Sequence, residues 1–105
     1  MKKLILTSAI LLSFATHAQD TVDPCADVKS VATAIMQARQ SGIDASVTIG
    51  RVHSAMQANK PALKAMIKVV VAAYQTPIQD SELKSKRVIS EFANAFYIAC
   101  WSTVI

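Results

Sequence analysis

Apolar and polar positions alternate along this chain in four blocks, and in most of them the repeat is helical. Between residues 25 and 40, Cys25, Val28, Ala32, Ile35 and Met36 recur near one face. Asp23 is a suitable N-cap and Pro24 suits the first helical position, where a missing N–H costs nothing. Asp27 in the first turn and Arg39 in the last both suit the helix dipole, and Ser41-Gly42 offers a left-handed stop.

From Ile43 to Ala58 the pattern is weaker, because "SVTIGRV" holds β-branched residues and Gly50. Ile49, Val52, His53 and Met56 still fit one helical face, and Asp44 or Ser46 can cap it. A third helix is expected from "NKPALK" to Tyr74, with Pro61 in its first turn. Lys60, Lys64 and Lys68 form a narrow stripe on it, and everything between them is apolar. Such a helix should be the central, most buried element. The alternative over residues 69–74 is a strand, favoured by three consecutive valines but lacking a convincing second strand to pair with.

Thr76-Pro77 breaks the third block. A last helix then starts at an Asp80 or Ser81 cap, or earlier if Thr76 and Gln79 form a capping box. Its expected apolar face comprises Leu83, Val88, Ile89, Phe92, Phe96, Ala99 and Cys100. The fold class expected is all-α, a compact four-helix bundle.

The N-terminus changes where that bundle is expected to work. Met1-Lys2-Lys3, the apolar run Leu4–Thr16 and then small Ala18 have the order of a secretory signal peptide, with cleavage after Ala18. The apolar run is shorter than the roughly 20 residues of a spanning helix, so stable membrane insertion is not expected. Nor do the residues before Cys25 suit a lipid anchor. The domains are therefore 1–18, a cleaved leader, and 19–105, a single helical domain, periplasmic or secreted.

Cleavage removes Lys2 and Lys3, so the formal charge of +4 drops by two. That leaves no electrostatic footprint for nucleic acid. Export also bears on the two cysteines, Cys25 and Cys100, which in an oxidising compartment are most economically one disulfide. Closing a loop of about 75 residues stabilises by about 4.5 kcal/mol in the chain-entropy model. For so short a chain that rivals the whole net stability.

Catalytic vocabulary is sparse. One histidine, His53, follows the leader, and a Cys–His pair would need a free thiol. Asp20, Asp23, Asp27, Asp44, Asp80 and Glu82 mostly sit where helices start and capping explains them, while Glu91 stands four residues after Arg87, ready for a surface ion pair. No catalytic residue, metal site or cofactor is expected, and the chain is not expected to be an enzyme.

Lys84, Lys86 and Arg87 oppose the dipole at the start of the last helix, which favours a partner-facing basic patch there. Tyr97 and Trp101 share a face and either pack over the disulfide or anchor a partner, with packing favoured in a domain this small. The Lys60, Lys64 and Lys68 stripe reads first as a solvated face and second as a site for an anionic surface.

Cys25, "IMQARQSG" at 35–42, "AYQTP" at 73–77, and Phe92, Tyr97 and Cys100 in "EFANAFYIAC" resemble a group of small exported helical proteins of proteobacteria and their phages, themselves uncharacterised in activity. The resemblance spans nearly all of the chain after the leader. It implies a signal peptide, a helical fold and a cysteine pair, with no activity to carry over. It also directs attention to Arg39, Gln40 and Gly42 together with Tyr74 and Pro77 as a structural motif. Arg39 and Gln40 either turn inward to brace the Tyr74–Pro77 turn, which we favour, or outward to a partner.

The leading functional expectation is a non-catalytic envelope protein that occupies a protein partner, as an inhibitor, immunity or exclusion factor would. An envelope-stress chaperone and a weak binder of anionic polymers or lipids are the alternatives, and a homo-oligomer is compatible with all three.

Overall fold

The computed structural model describes residues 23–104. The expected leader, residues 1–18, lies outside the described residues. Four helices follow in order: α1 (Ala26–Gln40), α2 (Ala45–Met56), α3 (Lys60–Tyr74) and α4 (Glu82–Val104). Residues 69–74 are helical, so the valine run is part of α3.

Three of the four starts have a side-chain cap. Asp44 accepts from Ser46 N–H ahead of α2, and Asn59 from Ala62 N–H ahead of α3. Ahead of α4, the Ser81 hydroxyl oxygen accepts from Lys84 N–H. Helix α1 starts two residues later than expected. Asp23 instead closes a turn, its carbonyl accepting from Ala26 N–H and its carboxylate from Cys25 N–H, and Cys25 takes the cap position. No early α4 start occurs at Thr76, whose hydroxyl points back to the Ala72 carbonyl.

"RQSG" ends α1 in a Schellman motif. Gly42 is left-handed at φ 79°, Ile43 N–H reaches back to the Ala38 carbonyl and Gly42 N–H to the Arg39 carbonyl, both at 3.0 Å. A side chain larger than hydrogen at 42 would strain this turn.

Helix α1 is the hub: it packs on α4 and α3 and touches α2, while α3 packs on α2. The core comprises Ala32, Ile35 and Met36 of α1, Val52 of α2, Met66, Val69, Val70 and Ala73 of α3, and Ala93 of α4. Helix α3 gives the most buried side chains, but it is not the centre expected of it, and Val71 is 48% exposed.

Two faces differ from the sequence pattern. In α2 the buried residues are Thr48 and Val52, with Ile49 and His53 turned out. In α4 the inward face is Val88, Ile89, Phe92, Ala93 and Phe96, whereas Leu83 and Ala99 are exposed. Leu83 stands nine residues before Phe92, about two and a half turns, and so falls on the opposite side.

Cys25 and Cys100 form the disulfide, with Cα atoms 5.8 Å apart and a sequence separation of 75. It joins the start of α1 to the last turns of α4.

Candidate protein interface

The most connected polar cluster braces the α3–α4 turn from the end of α1. Arg39 Nε donates to the Thr76 carbonyl at 2.9 Å, and its guanidinium lies 5.4 Å from the centre of the Tyr74 ring. Gln40 engages the next residues with both ends of its amide: Nε2 donates to the Pro77 carbonyl at 3.0 Å and Oε1 accepts from Gln79 N–H at 2.8 Å. Both side chains thus face inward. The acceptors are Thr76 and Pro77 rather than Tyr74 and Gln75, because the chain has already left α3 where it passes α1. Pro77 has no N–H of its own, so its carbonyl is the polar group it offers.

Tyr74 extends the cluster to α2. Its hydroxyl donates to the Ile43 carbonyl at 2.7 Å and lies 2.8 Å from Thr48 Oγ1. Since the single phenol proton goes to Ile43, the Thr48 hydroxyl is the donor to Tyr74. This link was missed in the sequence; the available signal was Thr48 standing alone among apolar positions. Arg39, Gln40, Gly42, Tyr74 and Pro77 therefore form a structural clasp.

At the disulfide end, the Tyr97 hydroxyl donates to Asp23 Oδ2 at 2.7 Å and Lys29 Nζ lies 5.3 Å from the ring centre. Trp101, half-buried, follows Cys100 directly. Both aromatics sit beside the cross-link, Tyr97 with its polar atom engaged.

The basic cluster is largely balanced. Lys84 pairs with Asp80 at 3.3 Å and Lys86 with Glu82 at 3.6 Å, each lysine reaching back one turn. The conflict with the helix dipole is relieved by the acids that precede it. Arg87 is exposed and makes no ion pair with Glu91, a correction to the surface pair expected there. The order explains it: acid before base at i,i+4 is the favourable arrangement, and Arg87–Glu91 is the reverse.

The acidity of the Asp44 carboxyl departs clearly from the ordinary. Its pKa is lowered by the Ser46 hydroxyl and then by the Ser46 N–H, against a small opposing effect of desolvation. Among the described residues no three His, Cys, Asp or Glu side chains gather as a metal site, and every buried side-chain polar atom has a partner. No described helix is long and apolar enough to cross a membrane.

Of the open grooves among the described residues, one of about 360 Å³ between α1 and α2 has a mostly apolar lining. Val31, Ile35, Val52 and Met56 form its floor, Ala55 lies along it and Arg51 stands at its rim. It exists because α1 and α2 barely touch: α2 turns its main face to α3, while α1 packs chiefly on α4 and then on α3. Arg51 is exposed and has no ion-pair partner among the described residues. Only residues of these two helices line the groove, so it lies open along one side. No protein-family model, curated protein or solved structure matches this chain.

Proposed function

We propose that this protein is a non-catalytic binding protein of the bacterial envelope, acting by occupying a protein partner as an inhibitor, immunity or exclusion factor does. The observation that carries the reading is the apolar α1–α2 groove with an unpaired arginine at its rim. Several of the polar side chains outside the groove are committed to holding the fold together: Arg39, Gln40, Tyr74 and Tyr97 all bond within the chain. The partner segment that suits the groove is an amphipathic helix, with an apolar ridge against Val31 and Val52 and a carboxylate opposite Arg51. Burying one aliphatic anchor there supplies about 1.5–3 kcal/mol, and a charge-assisted pair fixes register. The scaffold suits this mode, since a cross-linked bundle loses little freedom on binding.

The test is site-specific photo-crosslinking in the exporting cell, with the probe at Ala55 in the groove or at Lys64 on α3. A discrete adduct from position 55, absent from position 64 and abolished by Arg51→Glu, is the expected result. Adducts of equal yield from both positions, or an adduct indifferent to Arg51→Glu, overturn the reading.

A further inference from the structure

Helix α4 turns a second, unpartnered face to solvent on the side away from the core. Leu83 is 68% and Ile98 64% exposed, more than any other large apolar side chain described. At 100° per residue, Leu83, Arg87, Glu91, Asn94 and Ile98 fall within about 80° of the helix circumference. All five are exposed. The face therefore has an apolar residue towards each end and a polar middle holding one base and one acid. Arg87 and Glu91 have the spacing of an intrahelical pair but the unfavourable order, and neither has an ion-pair partner among the described residues.

We infer that this face takes a second copy of the same chain, α4 against α4, antiparallel about a two-fold axis passing midway between residues 90 and 91. The register follows from the spacing alone. That axis puts Leu83 opposite Ile98 of the other copy and Arg87 opposite its Asn94. Glu91 of the other copy is then displaced along the axis by only about 4.5 Å from Arg87, within reach of a guanidinium. The two-fold repeats each contact, so two apolar pairs flank two Arg87–Glu91 pairs. A parallel arrangement would stack Arg87 on Arg87 and Glu91 on Glu91, which like-charge repulsion disfavours. Lys84 and Lys86 do not spoil the match, because Asp80 and Glu82 already neutralise them. One pair of helices buries less than a standard interface, so the dimer is weak and concentration-dependent. The surface is on a different helix from the α1–α2 groove, and the two conclusions stand or fall separately.

Charge reversal tests it on the full domain with the disulfide intact. Both sites are exposed, and circular dichroism checks that each variant keeps its helices. In sedimentation equilibrium the parent should rise from monomer towards dimer mass as concentration increases. Arg87→Glu alone puts two acids on each copy and Glu91→Arg alone puts two bases, so each should associate at least tenfold more weakly. Mixed one to one, the two variants face opposite charges at every contact and should dimerise at least as well as the parent. A parent that stays monomeric, single variants that associate like the parent, or a mixture that behaves as two separate monomers each overturn the inference.

Discussion

Replacing Arg39 by alanine removes two of the interactions that couple the end of α1 to the end of α3 and the turn that follows it. The first is a charge-assisted hydrogen bond to the Thr76 carbonyl at 2.9 Å. Such a bond is worth about 1.5–3 kcal/mol, and the lower end applies at this half-buried site, where water can partly replace the donor. The second is the stacking of the guanidinium on Tyr74 at 5.4 Å, adding about 0.5–1 kcal/mol. The two share one side chain and do not simply add, so Arg39→Ala should destabilise by about 2 kcal/mol. With a urea dependence of about 1 kcal/mol per molar, at the low end for a small domain, the unfolding midpoint falls by about 2 M. Arg39→Lys retains a charge near the ring but cannot present the planar Nε–H fork, and should lose about 1 kcal/mol. The assay is urea unfolding of the oxidised domain followed by helical circular dichroism. If Arg39→Ala shifts the midpoint by less than about 0.3 M, the clasp contributes nothing net. If lysine matches arginine, the charge matters and the geometry does not.

Tyr74→Phe should cost about 1–2 kcal/mol by leaving the Ile43 carbonyl and the Thr48 hydroxyl unpaired. Adding Thr48→Val should then cost less than it does alone, which a thermal-melt double-mutant cycle reads as coupling of at least about 0.5 kcal/mol. Replacing Cys25 and Cys100 together by serine should remove up to about 4.5 kcal/mol, seen as a lowered urea midpoint matched by the reduced parent. The lowered pKa of Asp44 gives it a stabilising role above the ordinary carboxylate range that fades as pH falls through its folded value. Asp44→Asn keeps the cap without the titration, so the parent's stability relative to this variant should decline in acid. A difference that does not change with pH removes Asp44 from the acid response.

Much of the fold is legible in the sequence, and the exceptions have identifiable causes. Asp44, Pro61, Gly42 and Ser81 mark helix ends through local chemistry that needs no tertiary knowledge. Cys25 and Cys100 are the two cysteines available to pair, so connectivity required no geometry. The misplaced face of α2 is different: helical periodicity alone favours Ile49 over Thr48, and only the Tyr74 hydroxyl arriving from α3 makes a buried threonine acceptable. Ala93 escaped notice because an alanine carries too little apolar area to declare its side. The centre of the bundle was likewise assigned by hydrophobicity, to α3, whereas it depends on how the helices are connected in space. Among the interface residues, Lys84 and Lys86 stood out by charge, but their pairing with acids one turn back left Arg87 as the unpaired member. Arg51 went unremarked because the groove beside it is made by two helices failing to meet, which no single segment encodes.

The cross-link from Cys25 to Cys100 also fixes the route that mechanical load takes through the molecule. Pull on the two ends of the domain, and tension enters at Cys25, crosses to Cys100 through one covalent bridge spanning 5.8 Å between Cα atoms, and leaves. The stretch from one cysteine to the other, with its helices, clasp and groove, lies outside that path. Under oxidising conditions the domain behaves as a rigid bead on a string rather than an extensible element. Reduction puts the same helices in series with the load, and the bead becomes a tether.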